Sequence, residues 1–307
     1  MPERRNVKSG PAVHPSRAGF VPVRLIVAVG GWVIIPGLSS TLSGSRCVLT
    51  DRIYRLMRPI PAVQRQFCRI VRRLPHRERL VSHFGHRLIV DPSELHGFYL
   101  YYEREYDHPI FHFLSDRLQQ YTRAIDIGAN IGIYTVFLAK RCMRIDAFEP
   151  EGGVVPRLTE NLRLNAIDHV RLHEKCVAHV TGTVQFASPT AANQGVGQIA
   201  SDGDPVASIT LDDFLANDEP EALFIKMDIE GGEWLAVQGM SETLRRWNAP
   251  LAVLMELHPD QIASLGGTIS GLRQKLESMG LEVFAIDSGD LHPVDDAARF
   301  WWAMNGR

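Results

Sequence analysis

From Arg123 to the end of the chain, short apolar runs alternate with helix-period segments, and this alternation limits the fold more than any other feature. "RAIDI" (Arg123–Ile127), "RIDAFEP" (Arg144–Pro150), "VRLHEKCVA" (Val170–Ala178), "ALFIKMDIE" (Ala222–Glu230), "APLAVLMELHP" (Ala249–Pro259), "LEVFAID" (Leu281–Asp287) and "RFWWAMN" (Arg299–Asn305) read as strands. Ile131–Arg141, Val154–Asn165 and Ile269–Met279 read as helices between them. Such an order is the mark of a largely parallel α/β sheet. "GTVQFA" (Gly182–Ala187) reads as an added hairpin arm, and Ala191–Pro205 as a Gly/Ser/Asp-rich loop with the character of a lid. Thr210 is placed to cap the helix "LDDFLAN", with an acid three residues on.

Upstream, "HRLIVDP" (His86–Pro92) reads as a strand ending in a turn, and Gly97–Leu118 as a helical lead-in. Asp51–Leu74 has helical periodicity broken at Pro59 and Pro61, with Val63, Phe67, Ile70 and Val71 on one side and arginines on the other. The expected division is a basic extension over residues 1–80 and a folded domain over 81–307.

Charge supports that division. Residues 1–80 hold 15 Lys/Arg against three acids (Glu3, Asp51, Glu78), a local net near +12, while the whole chain carries −2. The remainder is therefore acidic, near −14, which argues against nucleic acid as the substrate. A basic leader is compatible with contact to an anionic membrane surface. "LIVAVGGWVIIPGL" (Leu25–Leu38) is too short to span a bilayer comfortably. It leaves three readings open: a plain extension, an interfacial segment, or a signal-like apolar core. Cys47, Cys68, Cys142 and Cys176 are scattered without a C-x-x-C pair, which reads as reduced thiols in a cytoplasmic protein without zinc.

"DIGANIGIYT" (Asp126–Thr135) joins the first strand of the alternating region to its helix. A dinucleotide loop needs G-x-G-x-x-G. Here Gly128 and Gly132 are spaced G-x-x-x-G, with Asn130 between them and no third glycine. Glu149 ends the second strand, where a carboxylate accepts hydrogen bonds from ribose hydroxyls. Asp126 at the first strand's tip would repel a pyrophosphate and would receive the ammonium of a methionine moiety. S-adenosylmethionine (SAM) therefore fits better than NAD. An NAD-dependent oxidoreductase and a non-catalytic nucleoside-binding module are the alternatives.

"DIGANIGIYT", "AFEP", "LTENLRLN", "ITLDDF", "IKMDIEGGEW" and "VLMELHP" occur in an order that resembles the FkbM-type methyltransferases. The resemblance covers about Phe84–Asn305, and IK-x-D-x-EG-x-E is its most specific part; Gly232 stands where the family usually has Ala. It implies a Rossmann-like SAM-dependent methyltransferase fold, a mostly parallel seven-stranded sheet with the last strand antiparallel. It also implies O-methylation of a hydroxyl on a sugar, glycolipid or related metabolite.

Lys226, Asp228 and Glu230 alternate at the end of one strand, and Glu256 and His258 at the end of the next. Lys226 and Asp228 are expected to pair. Asp228 and His258 are the candidate bases for the acceptor's proton. In a second reading, Asp228, Glu230 and Glu256 hold Mg²⁺.

Overall fold

The computed structural model describes residues 77–104, 106–188 and 197–306. The basic leader, the Leu25–Leu38 stretch, the Asp51–Leu74 helix, Cys47, Cys68 and residues 191–196 of the expected lid lie outside the described residues. Among the described residues, no helix is long and apolar enough to cross a membrane.

The fold opens with an antiparallel hairpin, β1 (Arg79–His83) and β2 (His86–Val90). α1 (Leu95–Phe98) runs into a wider helical turn, Tyr99–Glu103, and the chain then breaks. Arg104 and Asp107 take left-handed backbone conformations, and α2 (His108–Arg117) begins with Pro109 in its first turn. The expected continuous lead-in is thus two helical pieces. The break lies between Arg104 and Asp107, each in a left-handed conformation that a helix cannot continue through.

The alternating region follows as β3 (Arg123–Ile127), α3 (Ile133–Ala139), β4 (Arg144–Phe148), α4 (Val155–Leu164) and β5 (Val170–His173). Next come β6 (Cys176–Val177), β7 (Gly182–Ala187), β8 (Gln198–Ile199), β9 (Asp204–Ile209), α5 (Leu211–Phe214) and β10 (Leu223–Met227). The chain continues with α6 (Glu233–Gln238), α7 (Ser241–Arg246), β11 (Leu251–Glu256), α8 (Pro259–Ser264) and α9 (Ile269–Ser278). It closes with β12 (Glu282–Asp287), β13 (Asp290–Pro293) and β14 (Phe300–Met304).

The main sheet has the order β13-β12-β14-β11-β10-β3-β4-β5. β5, β4, β3, β10 and β11 are mutually parallel, and β14 inserts antiparallel between β11 and β12. All seven expected strands contribute to this sheet and the last is antiparallel. The expected Val170–Ala178 strand is split, however, with only Val170–His173 joining here and Cys176–Val177 pairing in a second sheet. An eighth, β13, adds an edge by turning back on β12. β6, β9, β7 and β8 form a second sheet, so the expected hairpin arm is one strand of a four-stranded unit.

The central strands are buried on both faces, which is why they read as unbroken apolar runs. Alternate residues serve opposite cores: Ala124, Phe224, Ala252 and Leu254 face one, and Ile125, Ile225, Val253 and Met255 the other. Thr210 caps α5 as expected, accepting from the Asp213 N–H at 3.0 Å. Sheet order reverses between β3 and β10, and in open α/β sheets such a point opens a crevice at the carboxyl ends of the strands.

Candidate functional site

That crevice is built first by the loop after β3. Gly128, Asn130 and Gly132 all have positive φ, of 78°, 49° and 89°. At Gly128 a side chain is excluded twice, by this φ and by space, since a Cβ there would overlap the backbone carbonyl oxygen of Asp228. The loops after β3 and β10 are thus in backbone contact. The N–H groups of Gly128 and Ala129 both donate to the Phe148 carbonyl at 3.0 Å, tying the loop to β4 as well.

Glu149 follows β4 and is 8% exposed. Its two carboxylate oxygens accept the N–H groups of Asn130 at 2.8 Å and Glu151 at 2.9 Å. Burial raises its pKa, and these hydrogen bonds oppose the rise. Each oxygen keeps a lone pair for a further donor. Asn130 in turn accepts the Ile131 N–H on its own side-chain oxygen at 2.7 Å. Asn161, fully buried on α4, donates to the Ile131 carbonyl at 2.8 Å and accepts the Ile89 N–H at 2.7 Å. The loop is fixed from both sides.

A cavity of about 330 Å³ lies over this loop. Gly128, Asn130, Glu149, Lys226, Asp228 and Glu230 line it, together with Tyr134, Cys176 and Phe186. Asp126, Gly132 and His258 are outside that lining.

The direction of Asp126 corrects the expected contact with a methionine ammonium. Its carboxylate is fully buried, accepts the Thr135 hydroxyl at 2.6 Å and lies 3.3 Å from the Lys226 ammonium. Gly132 also serves the turn, closing against Leu158 at the start of α3.

Lys226 meets three oxygens: Asp126, the Gly128 carbonyl at 2.8 Å, and Asp228 at 3.7 Å. Burial works against its charge, but Asp126, Asp228 and Glu256 outweigh burial and hold the ammonium above its ordinary value. The expected Lys226–Asp228 pair is present, as part of a triad. Burial would raise Asp228 in turn, but the charges of Lys226 and His258 hold it below the usual carboxylate range.

His258 lies just beyond β11 among acids. Its Nε2 is 3.4 Å from Glu230 and 3.8 Å from Glu256, and its Nδ1 is 3.4 Å from Glu233. Burial works against the imidazolium, yet the Glu233 hydrogen bond and the charges of Asp228 and Glu230 raise the ring to about 9. Glu256 is pushed up to about 8 by burial and by Asp228, although Arg299 bonds it at 2.6 Å. Arg299 continues to Asp107 at 3.5 Å, and Asp107 accepts the Tyr134 hydroxyl at 3.1 Å.

The structure therefore brings together Lys226, Asp228, His258, Glu149, Asn130 and Gly128, and sets Asp126 and Gly132 behind them as supports. For a metal, it places His258 rather than Glu256 with Asp228 and Glu230, their ligand atoms all within 4.8 Å of one another. Sequence reasoning assigned no role to Glu233, Tyr134, Asp107, Arg299 or Asn161. Glu233 and Asn161 sit inside quoted motifs, as the final acid of IK-x-D-x-EG-x-E and the first asparagine of "LTENLRLN".

Residues 126–283, just over half the chain, match the model of the methyltransferase FkbM domain. The chain belongs to the FkbM methyltransferase family. The matched segment begins at the buried Asp126 and ends in β12, so it takes in Glu149, Lys226, Asp228, Glu230, Glu256 and His258 but not Asp107 or Arg299. No curated protein matches this chain. Among solved structures, it is similar to a methyltransferase FkbM from Methylobacillus flagellatus, with 19% identity and a TM-score of 0.43 over 65% of this chain. The chain covers 48% of that protein, about half its length. A TehB-like SAM-dependent methyltransferase from Corynebacterium glutamicum has 13% identity and a TM-score of 0.38, over 67% of this chain and 90% of that one. A Streptococcus mutans protein solved in complex with SAH has 16% identity and a TM-score of 0.38, over 65% of this chain and 99% of that one.

Proposed function

We propose that this member of the family moves a methyl group from SAM to a hydroxyl of a sugar, glycolipid or related metabolite. One observation carries the reading: a single cavity is lined by both the Gly128–Asn130–Glu149 cradle and the Lys226–Asp228–Glu230 strand end. The cradle suits a nucleoside, with Glu149 presenting two backbone-held oxygens to ribose hydroxyls. An acid in this place also serves the ribose of NAD; what separates the two is the loop, where Gly128 and Gly132 are spaced G-x-x-x-G in place of G-x-G-x-x-G.

Methyl transfer breaks the sulfur–carbon bond of a sulfonium and forms an oxygen–carbon bond. The protein's task is to align oxygen, methyl and sulfur, and to take the hydroxyl proton. Asp228 is ionised and lines the cavity, so it accepts that proton or holds the hydroxyl in line. Lys226 fixes Asp228 and the Gly128 carbonyl together, and so sets the acceptor side against the donor side. His258 stands among these acids, with Nε2 3.4 Å from Glu230 and Nδ1 3.4 Å from Glu233, and so positions the end of β11 against that of β10.

The acceptor class, a cytoplasmic setting with membrane contact through the leader, and a domain that works without residues 1–78 belong to the same proposal. β1 starts at Arg79, so a working truncation must keep that residue. Denaturing mass spectrometry of freshly purified protein tests the cofactor. SAM or S-adenosylhomocysteine released at one per chain supports the reading, whereas NAD released in its place refutes it.

A further inference from the structure

We propose that Asp228, Glu230 and the Nε2 atom of His258 form a site for one divalent transition-metal cation, such as Mn²⁺ or Zn²⁺. The three ligand atoms come from the ends of two neighbouring strands and lie within 4.8 Å of one another. One imidazole nitrogen with two carboxylate oxygens suits Mn²⁺, Co²⁺ or Zn²⁺ better than the all-oxygen preference of Ca²⁺.

The arrangement behind His258 is the independent observation. Metal-bound histidines hand their second ring N–H to a buried carboxylate, which fixes the tautomer and aims the other nitrogen at the metal. Glu233 is fully buried and occupies that place, with one oxygen 3.4 Å from Nδ1 and accepting the Ile229 N–H at 3.1 Å. Its other oxygen has no hydrogen-bond partner among the described residues. A buried carboxylate left half-satisfied is costly unless positive charge stands nearby. With Nδ1 directed at Glu233, Nε2 turns to Glu230 and Glu256, a nitrogen facing two oxygens.

Charge points the same way. Among the described residues, Lys226 lies within 4 Å of Asp126 and Asp228, and Arg299 within 4 Å of Asp107 and Glu256, whereas Glu230 and Glu233 have only the His258 ring as a basic partner at that distance. A dication held by Asp228 and Glu230 would offset the charges of both carboxylates. Two of the three ligands, Asp228 and Glu230, also line the cavity, so an open coordination position would face an acceptor oxygen. The cation would then orient that oxygen and lower its pKa as a Lewis acid. This last role rests on the methyl-transfer reading. The cation site itself does not.

The test uses the full chain, stripped with EDTA and titrated with MnCl₂, with free Mn²⁺ followed by its solution EPR signal. About one Mn²⁺ bound per chain, weakened at least tenfold in Glu230→Gln and in His258→Gln, is the expected result. Glu233→Gln should weaken binding between tenfold and a hundredfold, the usual loss when an outer partner is removed. Wild-type protein that leaves the EPR signal of added Mn²⁺ undiminished overturns the site. So does binding that is equal in wild type and in variants with wild-type circular dichroism. S-adenosylhomocysteine calorimetry on the same samples keeps the two readings apart. Nucleoside binding without Mn²⁺ binding defeats the cation site alone, and Mn²⁺ binding without nucleoside binding defeats the methyl-transfer reading alone.

Discussion

Asp126 and Lys226 stand opposite one another in the parallel pairing of β3 and β10, and their side chains meet at 3.3 Å inside the sheet. Both are buried, and Lys226 also donates to the Gly128 carbonyl, so one ion pair locks the two strand ends that frame the cavity. Removing one partner of such a pair leaves an uncompensated buried charge and costs about 3–5 kcal/mol. Lys226→Met is therefore expected to lower the urea midpoint sharply. Asp126→Asn with Lys226→Met together should recover much of the loss. A single variant as stable as wild type would show that the pair does not hold the site.

Gly128→Ala probes the contact between the loops. The substitution adds a Cβ at a φ of 78° and against the Asp228 carbonyl oxygen. Strain of this kind costs on the order of 1–3 kcal/mol, and here it must also part the two loops. Calorimetry should show loss of S-adenosylhomocysteine binding larger than any loss in thermal stability. Unchanged affinity would mean that the cradle tolerates a wider loop than the one observed.

His83 gives the fold an acid sensitivity of its own. It is buried beside Phe84, His108 and Phe111, and burial, with the charges of His108 and His86, lowers its pKa from 6.5 to about 4. Between those values the unfolded chain binds more protons than the folded one, so this contribution to stability is intact above pH 6.5 and is lost as pH falls toward 4. In denaturation curves measured from pH 7 to pH 4, His83→Phe should lose less stability than wild type. Parallel losses would remove His83 from the account.

Asp228→Asn keeps the shape at the end of β10 and removes the charge. If Asp228 takes or holds the acceptor proton, kcat falls by about 10²-fold or more while cofactor affinity barely changes. A variant that instead loses S-adenosylhomocysteine binding would make Asp228 a support of the cradle.

Much of the fold was legible because the central strands are buried on both faces, so Ile125, Phe224 and Val253 sit in runs that only a covered sheet explains. β13 was not, because Asp290–Pro293 is short, largely exposed and defined by its pairing with β12. The second sheet was hidden for a related reason: Cys176 pairs with Ser208 and Phe186 with Asp204, contacts between segments too distant and too short to show a period. In the site, spacing located Glu149, Lys226 and Asp228. Parity misled for Asp126, since a two-residue repeat says that Asp126 shares a face with Ala124 but not which face opens on the cavity. Glu233 approaches His258 across 25 residues of chain, a contact visible only once β10 and β11 are neighbours.

The central claim is that the Gly128–Asn130–Glu149 cradle holds the nucleoside of SAM, and isothermal titration calorimetry tests it most directly. Wild-type protein should bind S-adenosylhomocysteine at one per chain and give no heat with NAD. Glu149→Ala should weaken that binding by about 1.5–3 kcal/mol, the range for hydrogen bonds to a charged group. Tight binding of NAD with no response to S-adenosylhomocysteine, or a Glu149→Ala variant that binds S-adenosylhomocysteine as wild type does, would contradict the account.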